Sequence, residues 1–271
     1  MRERLVQSVA CSLACSLAYL SPQQLNGARK EWRHTGPFTS TIGVEYAGRL
    51  SANSFSFTEQ LTEPSFQSSA TIFDSADTGD VLVAFRGSTN ARNFQSMFAL
   101  GLVPLADCES GANVHEGYQT ASQKLYERLA PALERRSGQR VIFTGHSYGG
   151  GTATLCALYA QPDQVITFSA PQVGDADFAQ TYDATMGSRT IHLVHDQDPV
   201  LQQNAQLWKS LGYAHTGEIV RCSPTEQTLL DSGGGGLAWN FLDHCQYLGT
   251  YMGPRAPPIK WSSLKPVYRP K

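Results

Sequence analysis

The sequence predicts an α/β fold whose mostly parallel central sheet is flanked by helices. Short apolar, β-rich runs alternate with helical stretches, a pattern typical of parallel sheets. One run, residues 141–144, passes through a glycine-rich turn directly into a helical stretch. The 271 residues can bury the core of one large domain. We therefore expect a single domain over residues 1–253 and a Pro-rich C-terminal extension over residues 254–271.

The composition excludes several classes of function. The formal net charge is −2 and no long basic run occurs, which argues against nucleic acid or an anionic membrane surface as the main partner. The six cysteines show neither a CxxC pair nor metal-ligand spacing with histidine, so we expect no metal and no cofactor. The sequence allows one disulfide among Cys108, Cys222 and Cys245. Three other cysteines on helical patterns are predicted to be small core residues: Cys11, Cys15 and Cys156.

The first 20 residues have two possible interpretations. Arg2 and Arg4 precede an apolar stretch, as in a signal peptide. However, apolar residues recur at helical spacing with polar residues on the other face, which favours an amphipathic first helix of the mature domain. No stretch is long and apolar enough to span a bilayer. We expect a soluble protein, with the cytoplasm favoured over secretion.

The next elements are a short helical piece from Pro22, an irregular or edge strand at residues 55–57, and a hairpin. The hairpin joins residues 70–73 to residues 81–85 through a polar turn. Its second run is almost wholly apolar, as expected for a strand that is covered on both faces. Further on, the predicted elements are a helix from about residue 116 interrupted by Pro131, strands at 165–168 and 191–194, an edge strand at 217–221, and a helix at 239–251.

The loop after the strand at 81–85 contains Arg86-Gly87-Ser88. Such a loop can aim a backbone N–H and a hydroxyl at one point, although a simple turn is the alternative. The apolar segment that follows is either a buried helix or a lid over a pocket, and its position beside this loop favours the lid. The candidate lid residues are Phe94, Met97, Phe98, Leu100, Leu102, Val103 and Leu105.

The turn Gly145-His146-Ser147-Tyr148-Gly149 is typical of a nucleophile elbow. Glycines flank the serine because a Cβ there would collide with neighbouring backbone. The hydroxyl is then exposed at the carboxyl end of a strand, above a helix N-terminus. A plain strand-to-helix turn is the alternative, but the strand before and the helix after favour a nucleophile. His146 is predicted to point away from the pocket.

A serine nucleophile needs a histidine base and a carboxylate that orients it. In folds with this elbow the chain order is serine, acid, histidine. Asp198 follows a strand and precedes Pro199, with Asp196 as its competitor. His244 follows a glycine-rich loop near the end of the chain and is favoured over His215.

Several blocks together resemble the class 3, fungal-type lipase family of the α/β-hydrolase superfamily, from the first helix to Tyr251. The blocks are Phe85-Arg86-Gly87-Ser88, Val114-His115-Glu116-Gly117-Tyr118, residues 144–150, residues 167–175, Asp198-Pro199-Val200 and residues 243–247. The resemblance implies an α/β-hydrolase fold and a catalytic triad at Ser147, Asp198 and His244. It also implies an oxyanion hole at Ser88 and the N–H of Tyr148.

Four positions depart from the family pattern. They are Tyr148 for Leu, Ser169 for Gly, Gln172 for Arg and Leu201 for Pro. None removes a catalytic group. Tyr148 is expected to keep the oxyanion N–H and to place a bulky ring near the acyl pocket.

The expected function is that of a serine carboxylester hydrolase acting on lipid esters through an acyl-enzyme at a lipid–water interface. A first alternative is an esterase for soluble short-chain or aryl (feruloyl-type) esters, which would use the same triad. A second is a non-catalytic binding protein with the same fold, which the retention of all three triad residues disfavours.

Overall fold

The computed structural model describes residues 2–27, 46–89, 101–106, 108, 111–195, 198, 201, 208–222, 244–247 and 250–252. Its helices are α1 (Arg2–Leu17), α2 (Pro22–Gly27), α3 (Glu116–Glu134), α4 (Tyr148–Ala160) and α5 (Ala176–Thr185), with a 3-10 turn at Gly187–Arg189. Residues 46–51 are also helical. The strands are β1 (Phe55–Glu63), β2 (Ser68–Ser75), β3 (Val81–Phe85), β4 (Leu102–Pro104), β5 (Asn113–His115), β6 (Val141–His146), β7 (Gln164–Phe168), β8 (Gly174–Asp175), β9 (Thr190–His195), β10 (Tyr213–Ala214), β11 (Glu218–Cys222), β12 (Gln246–Tyr247) and β13 (Thr250–Tyr251).

The central sheet confirms the predicted α/β class. Its strand order is β1-β2-β3-β6-β7-β9-β11, and every pairing from β3 to β11 is parallel. β1 and β2 add an antiparallel edge, and β2 and β3 form the predicted hairpin. A second sheet, β10-β8-β5-β4, is antiparallel, and β12 pairs with β13.

Helices cover both faces of the central sheet, which explains why β3 is apolar throughout. Alternate strand residues point to opposite faces. Val81, Val83 and Phe85 therefore pack in one cluster with α3 and α4, while Leu82 and Ala84 pack in another with α1. All five are buried. The carboxyl ends of the parallel strands meet at one edge of the sheet, where the candidate site residues follow.

Helix α1 forms as predicted and packs into the core beside the central sheet. The prediction of a polar outer face was wrong for Ser12, which is fully buried. Its hydroxyl lies 2.8 Å from the carbonyl of Val9 and 3.1 Å from Thr250 Oγ1. A serine hydroxyl can be buried in a core when it has hydrogen-bond partners of this kind. Helix α1 therefore packs against the segment that carries His244.

Two other predicted elements differ from the structure. Pro131 does not interrupt α3, which continues to Glu134 because Leu129 and Ala132, on either side of it, are buried. The predicted helix at 239–251 is wrong for residues 246–247 and 250–251, which pair as the antiparallel strands β12 and β13. The Met252 N–H closes this strand pair by donating to the Cys245 carbonyl at 2.7 Å. In the described part of the chain, no helix has the length and apolar character needed to cross a bilayer.

Candidate active site

Ser147 stands at a strained turn between β6 and α4, as the sequence predicts. Its φ of 54° and ψ of −125° lie outside the regions that non-glycine residues favour, a strain that costs about 1–3 kcal/mol. A Cβ added at Gly145 would collide with the Gly149 carbonyl, and one added at Gly149 would collide with the Phe85 carbonyl. Glycine at both positions therefore lets the turn pack against its own helix and against the end of β3.

The structure brings together the three residues predicted to form a triad. Ser147 Oγ lies 2.9 Å from His244 Nε2. His244 Nδ1 lies 2.9 Å from Asp198 Oδ2 and 3.1 Å from Oδ1. The exposed fractions are 8% for Ser147, 4% for His244 and 0% for Asp198. The three groups thus form a chain of hydrogen bonds that passes from a slightly exposed hydroxyl to a fully buried carboxylate.

The chemistry of these groups fixes where the protons are. An ionised carboxylate only accepts hydrogen bonds, so His244 Nδ1 carries a proton and donates a hydrogen bond to Asp198. His244 Nε2 then holds a lone pair and accepts from the Ser147 hydroxyl. This arrangement prepares a neutral imidazole to take the serine proton, as general-base activation of a nucleophile requires.

Further polar groups surround the carboxylate of Asp198. Ser169 Oγ lies 2.6 Å from Asp198 Oδ2, and the Leu201 N–H donates to Oδ1 at 3.3 Å. Ser169 Oγ also lies 2.6 Å from the hydroxyl of Tyr247. That hydroxyl accepts from the N–H of His195 at 2.9 Å. Asp198 is therefore held by groups other than His244.

His146 lies behind the base rather than beside the nucleophile. Its Nε2–H donates to the main-chain carbonyl of His244 at 2.8 Å, and its Nδ1 accepts from the Tyr19 hydroxyl at 2.9 Å. The two histidine rings are 4.9 Å apart. Burial lowers the pKa of His146 to about 3, so this ring stays neutral. Tyr19 and His146 thus connect the end of the α1 segment to the backbone of His244.

We expect Tyr19→Phe to lower the free energy of unfolding by about 1–2 kcal/mol, since it leaves the buried Nδ1 of His146 without a donor. Ester hydrolysis should fall as well, because the His244 backbone loses its support. Urea denaturation and steady-state kinetics measure the two effects. Tyr126→Phe is the control, because it removes a hydroxyl that bonds the Tyr159 carbonyl, remote from the triad. Equal effects of the two substitutions would contradict the connection.

The two predicted oxyanion residues follow neighbouring parallel strands. Phe85 of β3 pairs with Gly145 of β6, and Ser88 and Tyr148 each come three residues later. Equivalent positions on adjacent parallel strands place both residues at the same edge of the sheet. Tyr148 is also the first residue of α4, where backbone N–H groups have no partner within the helix. Ser88 is half-buried in its loop.

The ring of Tyr148 lies in the core between the sheet and α3. It is 1% exposed and stacks on Tyr118 with ring centroids 4.9 Å apart. Its hydroxyl lies 3.2 Å from Ser68 Oγ on β2. The sequence predicts this ring near the acyl pocket, and in the structure its partners lie on α3 and β2. The bulk of the side chain is therefore absorbed by the core.

The alternative site residues lie elsewhere or outside the described chain. His215 lies between β10 and β11, and His192 is buried between Thr167 and Thr216. Asp196 is outside the described residues, as are four candidate lid residues: Phe94, Met97, Phe98 and Leu100. Leu102 and Val103 belong to β4, which pairs with β5, and Leu105 is buried. Among the described residues, no three His, Cys, Asp or Glu side chains group as a metal site would need.

Comparison with known sequences gives one family. The sequence model described as Lipase (class 3) matches residues 82–206. A secreted mono- and diacylglycerol lipase 1 of Fusarium solani is 30% identical over 145 residues, which cover 51% of this chain and 42% of that protein. A lipase of Rhizomucor miehei is 31% identical over 154 residues, which cover 51% of this chain and 40% of that protein. The matched part of this chain thus spans about two fifths of these relatives.

Solved structures share the fold over nearly the whole chain. Lipase II from Rhizopus niveus has a TM-score of 0.68 at 17% identity and covers 94% of this chain and 97% of its own. A fungal lipase–inhibitor complex, described as a model for interfacial activation in lipases, has a TM-score of 0.64 at 18% identity. The match covers 90% of this chain and 94% of the lipase. At these identities the likeness establishes the architecture.

Proposed function

We propose that this chain is a serine hydrolase that cleaves carboxylic esters of lipids, a proposal supported by the match of residues 82–206 to the sequence model described as Lipase (class 3). The observation that carries the proposal is the hydrogen-bonded chain Ser147–His244–Asp198, with 2.9 Å between Ser147 Oγ and His244 Nε2. This distance lies within the range in which a base abstracts a proton.

The reaction proceeds in two stages through an acyl-enzyme. Ser147 Oγ attacks the ester carbonyl carbon while His244 Nε2 takes the hydroxyl proton. The imidazolium then gives that proton to the departing alcohol, and the acyl group stays on Ser147. In the second stage water attacks the acyl carbon while His244 takes a proton from the water, and the imidazolium then gives that proton to Ser147 Oγ as it leaves and the free acid forms. Asp198 accepts a hydrogen bond from the His244 Nδ1–H and stabilises the imidazolium in both stages.

The tetrahedral intermediate carries a negatively charged oxygen that hydrogen-bond donors must stabilise. The Tyr148 N–H at the start of α4 and the Ser88 loop supply them from the same edge of the sheet. One such donor contributes about 3 kcal/mol to stabilising the transition state in comparable sites. The N-terminus of α4 adds a favourable dipole at the same point.

The substrate is a long-chain ester presented at a lipid–water interface. Two observations support this part of the proposal: the apolar character of the segment from Phe94 to Leu105, and the likeness of residues 82–206 to class 3 lipases together with the fold shared with a fungal lipase. A strongly apolar segment of this kind suits a substrate that arrives from a lipid surface.

The interface is tested by measuring the hydrolysis rate of tributyrin across its solubility limit. We expect a steep rise once an emulsion forms, because the substrate is taken from the droplet surface. A soluble short-chain p-nitrophenyl ester is the comparison, and its rate should saturate without such a rise. If tributyrin hydrolysis also saturates below the limit and does not rise above it, the interfacial substrate is wrong and a soluble-ester esterase replaces it.

A further inference from the structure

Ser169 occupies a backbone conformation that a serine adopts only at a cost. It follows β7 directly, and its φ of 48° lies in the left-handed region that favours glycine. Most residues avoid this region because their Cβ approaches the backbone too closely. Ser169 is also fully buried, so its hydroxyl must find partners inside the protein. A residue that is both strained and buried calls for a physical reason.

The hydroxyl of Ser169 contacts three groups of the active site. Its Oγ lies 2.6 Å from Asp198 Oδ2, 2.6 Å from the Tyr247 hydroxyl and 3.1 Å from the main-chain carbonyl of His244. Two of these partners belong to triad residues. The hydroxyl therefore lies where the segments that carry the acid and the base meet.

The available protons allow one consistent arrangement of these bonds. Ser169 and Tyr247 each have one hydroxyl proton, whereas the Asp198 carboxylate only accepts. Ser169 Oγ must donate to Asp198 Oδ2, so the proton between Ser169 and Tyr247 comes from Tyr247, whose oxygen also accepts from the His195 N–H. The His244 carbonyl already accepts from His146 Nε2–H and needs no second donor.

We propose that Ser169 is a positioning residue whose hydroxyl holds the Asp198 carboxylate in the orientation that the base requires. This inference rests on the proposed function. Asp198 Oδ2 receives both the Ser169 hydroxyl and the Nδ1–H of His244, so the two donors fix the plane of the carboxylate. A hydrogen bond from a neutral donor to a buried carboxylate is among the stronger ones in proteins. Glycine at this position would remove the strain and also lose this donor.

The test compares Ser169→Gly with Ser169→Ala on a soluble short-chain ester. Both substitutions remove the hydroxyl, but glycine relieves the backbone strain and alanine keeps it. We expect kcat to fall about tenfold in both variants with KM within about twofold, since the hydroxyl acts on the base and not on ester binding. Thermal denaturation should place the glycine variant above the alanine variant, which separates stability from catalysis.

The pH profile gives a second readout that a structural role would not move. A carboxylate with one donor fewer attracts a proton onto the Asp198–His244 pair more strongly. The acid limb of kcat/KM should therefore move to higher pH by about half a unit in both variants. The neighbouring ionisable groups are His146, Tyr247 and, packed on the Tyr247 ring, His195. They are the same in parent and variants.

Several outcomes decide the proposal. If kcat stays within about twofold and the acid limb does not move in either variant, Ser169 does not position Asp198. If the glycine variant matches the parent and only the alanine variant loses activity, backbone strain and not the hydroxyl is responsible, which also overturns it. The parent distinguishes this failure from that of the proposed function. A parent that neither hydrolyses esters nor reacts with a fluorophosphonate probe overturns both.

Discussion

Replacing Ser147 by alanine is expected to lower kcat for ester hydrolysis roughly 10⁴- to 10⁶-fold. The variant keeps the fold but loses the oxygen that becomes acylated, so no covalent intermediate can form. Labelling by a fluorophosphonate probe should disappear together with the activity. Alanine also lacks the hydroxyl that lies 2.9 Å from His244 Nε2, so the base has no proton to take.

Ser122→Ala is the matched control for this substitution. Ser122 lies on α3, is fully buried, and its hydroxyl has no hydrogen-bond partner among the described residues. The same chemical change in the core should leave both hydrolysis and labelling near the parent values. Labelling that survives Ser147→Ala would remove Ser147 as the nucleophile.

Asp198→Asn should lower kcat about 10³- to 10⁴-fold while the protein remains folded. The asparagine amide presents an N–H where the carboxylate presents an acceptor. Each carboxylate oxygen now faces a donor other than His244, namely the Ser169 hydroxyl or the Leu201 N–H. Neither orientation of the amide therefore suits all of its partners. When the amide N–H faces His244, Nδ1 must accept, the proton moves to Nε2, and Nε2 can no longer accept from Ser147.

Stopped-flow or steady-state kinetics on a soluble ester, together with circular dichroism, check this prediction. Asp183→Asn is the comparison, since Asp183 is exposed and its carboxylate accepts from the Gly217 N–H. An amide oxygen can replace that acceptor, so activity should not change. A folded Asp198→Asn enzyme with more than about a tenth of the parent kcat would mean that another group orients His244.

Local patterns and chain order in the sequence were sufficient to predict the sheet and to select three residues that the structure joins by hydrogen bonds. The apolar run of β3, the β2–β3 hairpin and the glycines around Ser147 each reflect a constraint that acts over a few residues. The Gly149 position shows the reason, because a Cβ there would strike the Phe85 carbonyl and prevent the elbow from forming. The serine–acid–histidine order then selected Asp198 and His244 from the remaining candidates.

Contacts between distant segments could not be predicted in this way. Tyr19, Ser169 and Tyr247 are separated by 150 and 78 positions along the chain, and no periodicity links them to His244. The strand at 246–247 was mistaken for a helix because its conformation depends on tertiary partners of Tyr247, not on local propensity. Likewise, only packing against Tyr118 shows that the Tyr148 ring enters the core.

By itself the sequence predicted the fold class, the proposed nucleophile and the two residues proposed to activate it, because these depend on local geometry and on chain order. The tertiary structure alone decided what holds those partners in place. Ser169 appears in the sequence as a residue where the family has glycine, and folding brings its hydroxyl to 2.6 Å from the buried carboxylate. The physical reason is that orienting a buried charge requires donors from several segments, which only the folded chain brings together.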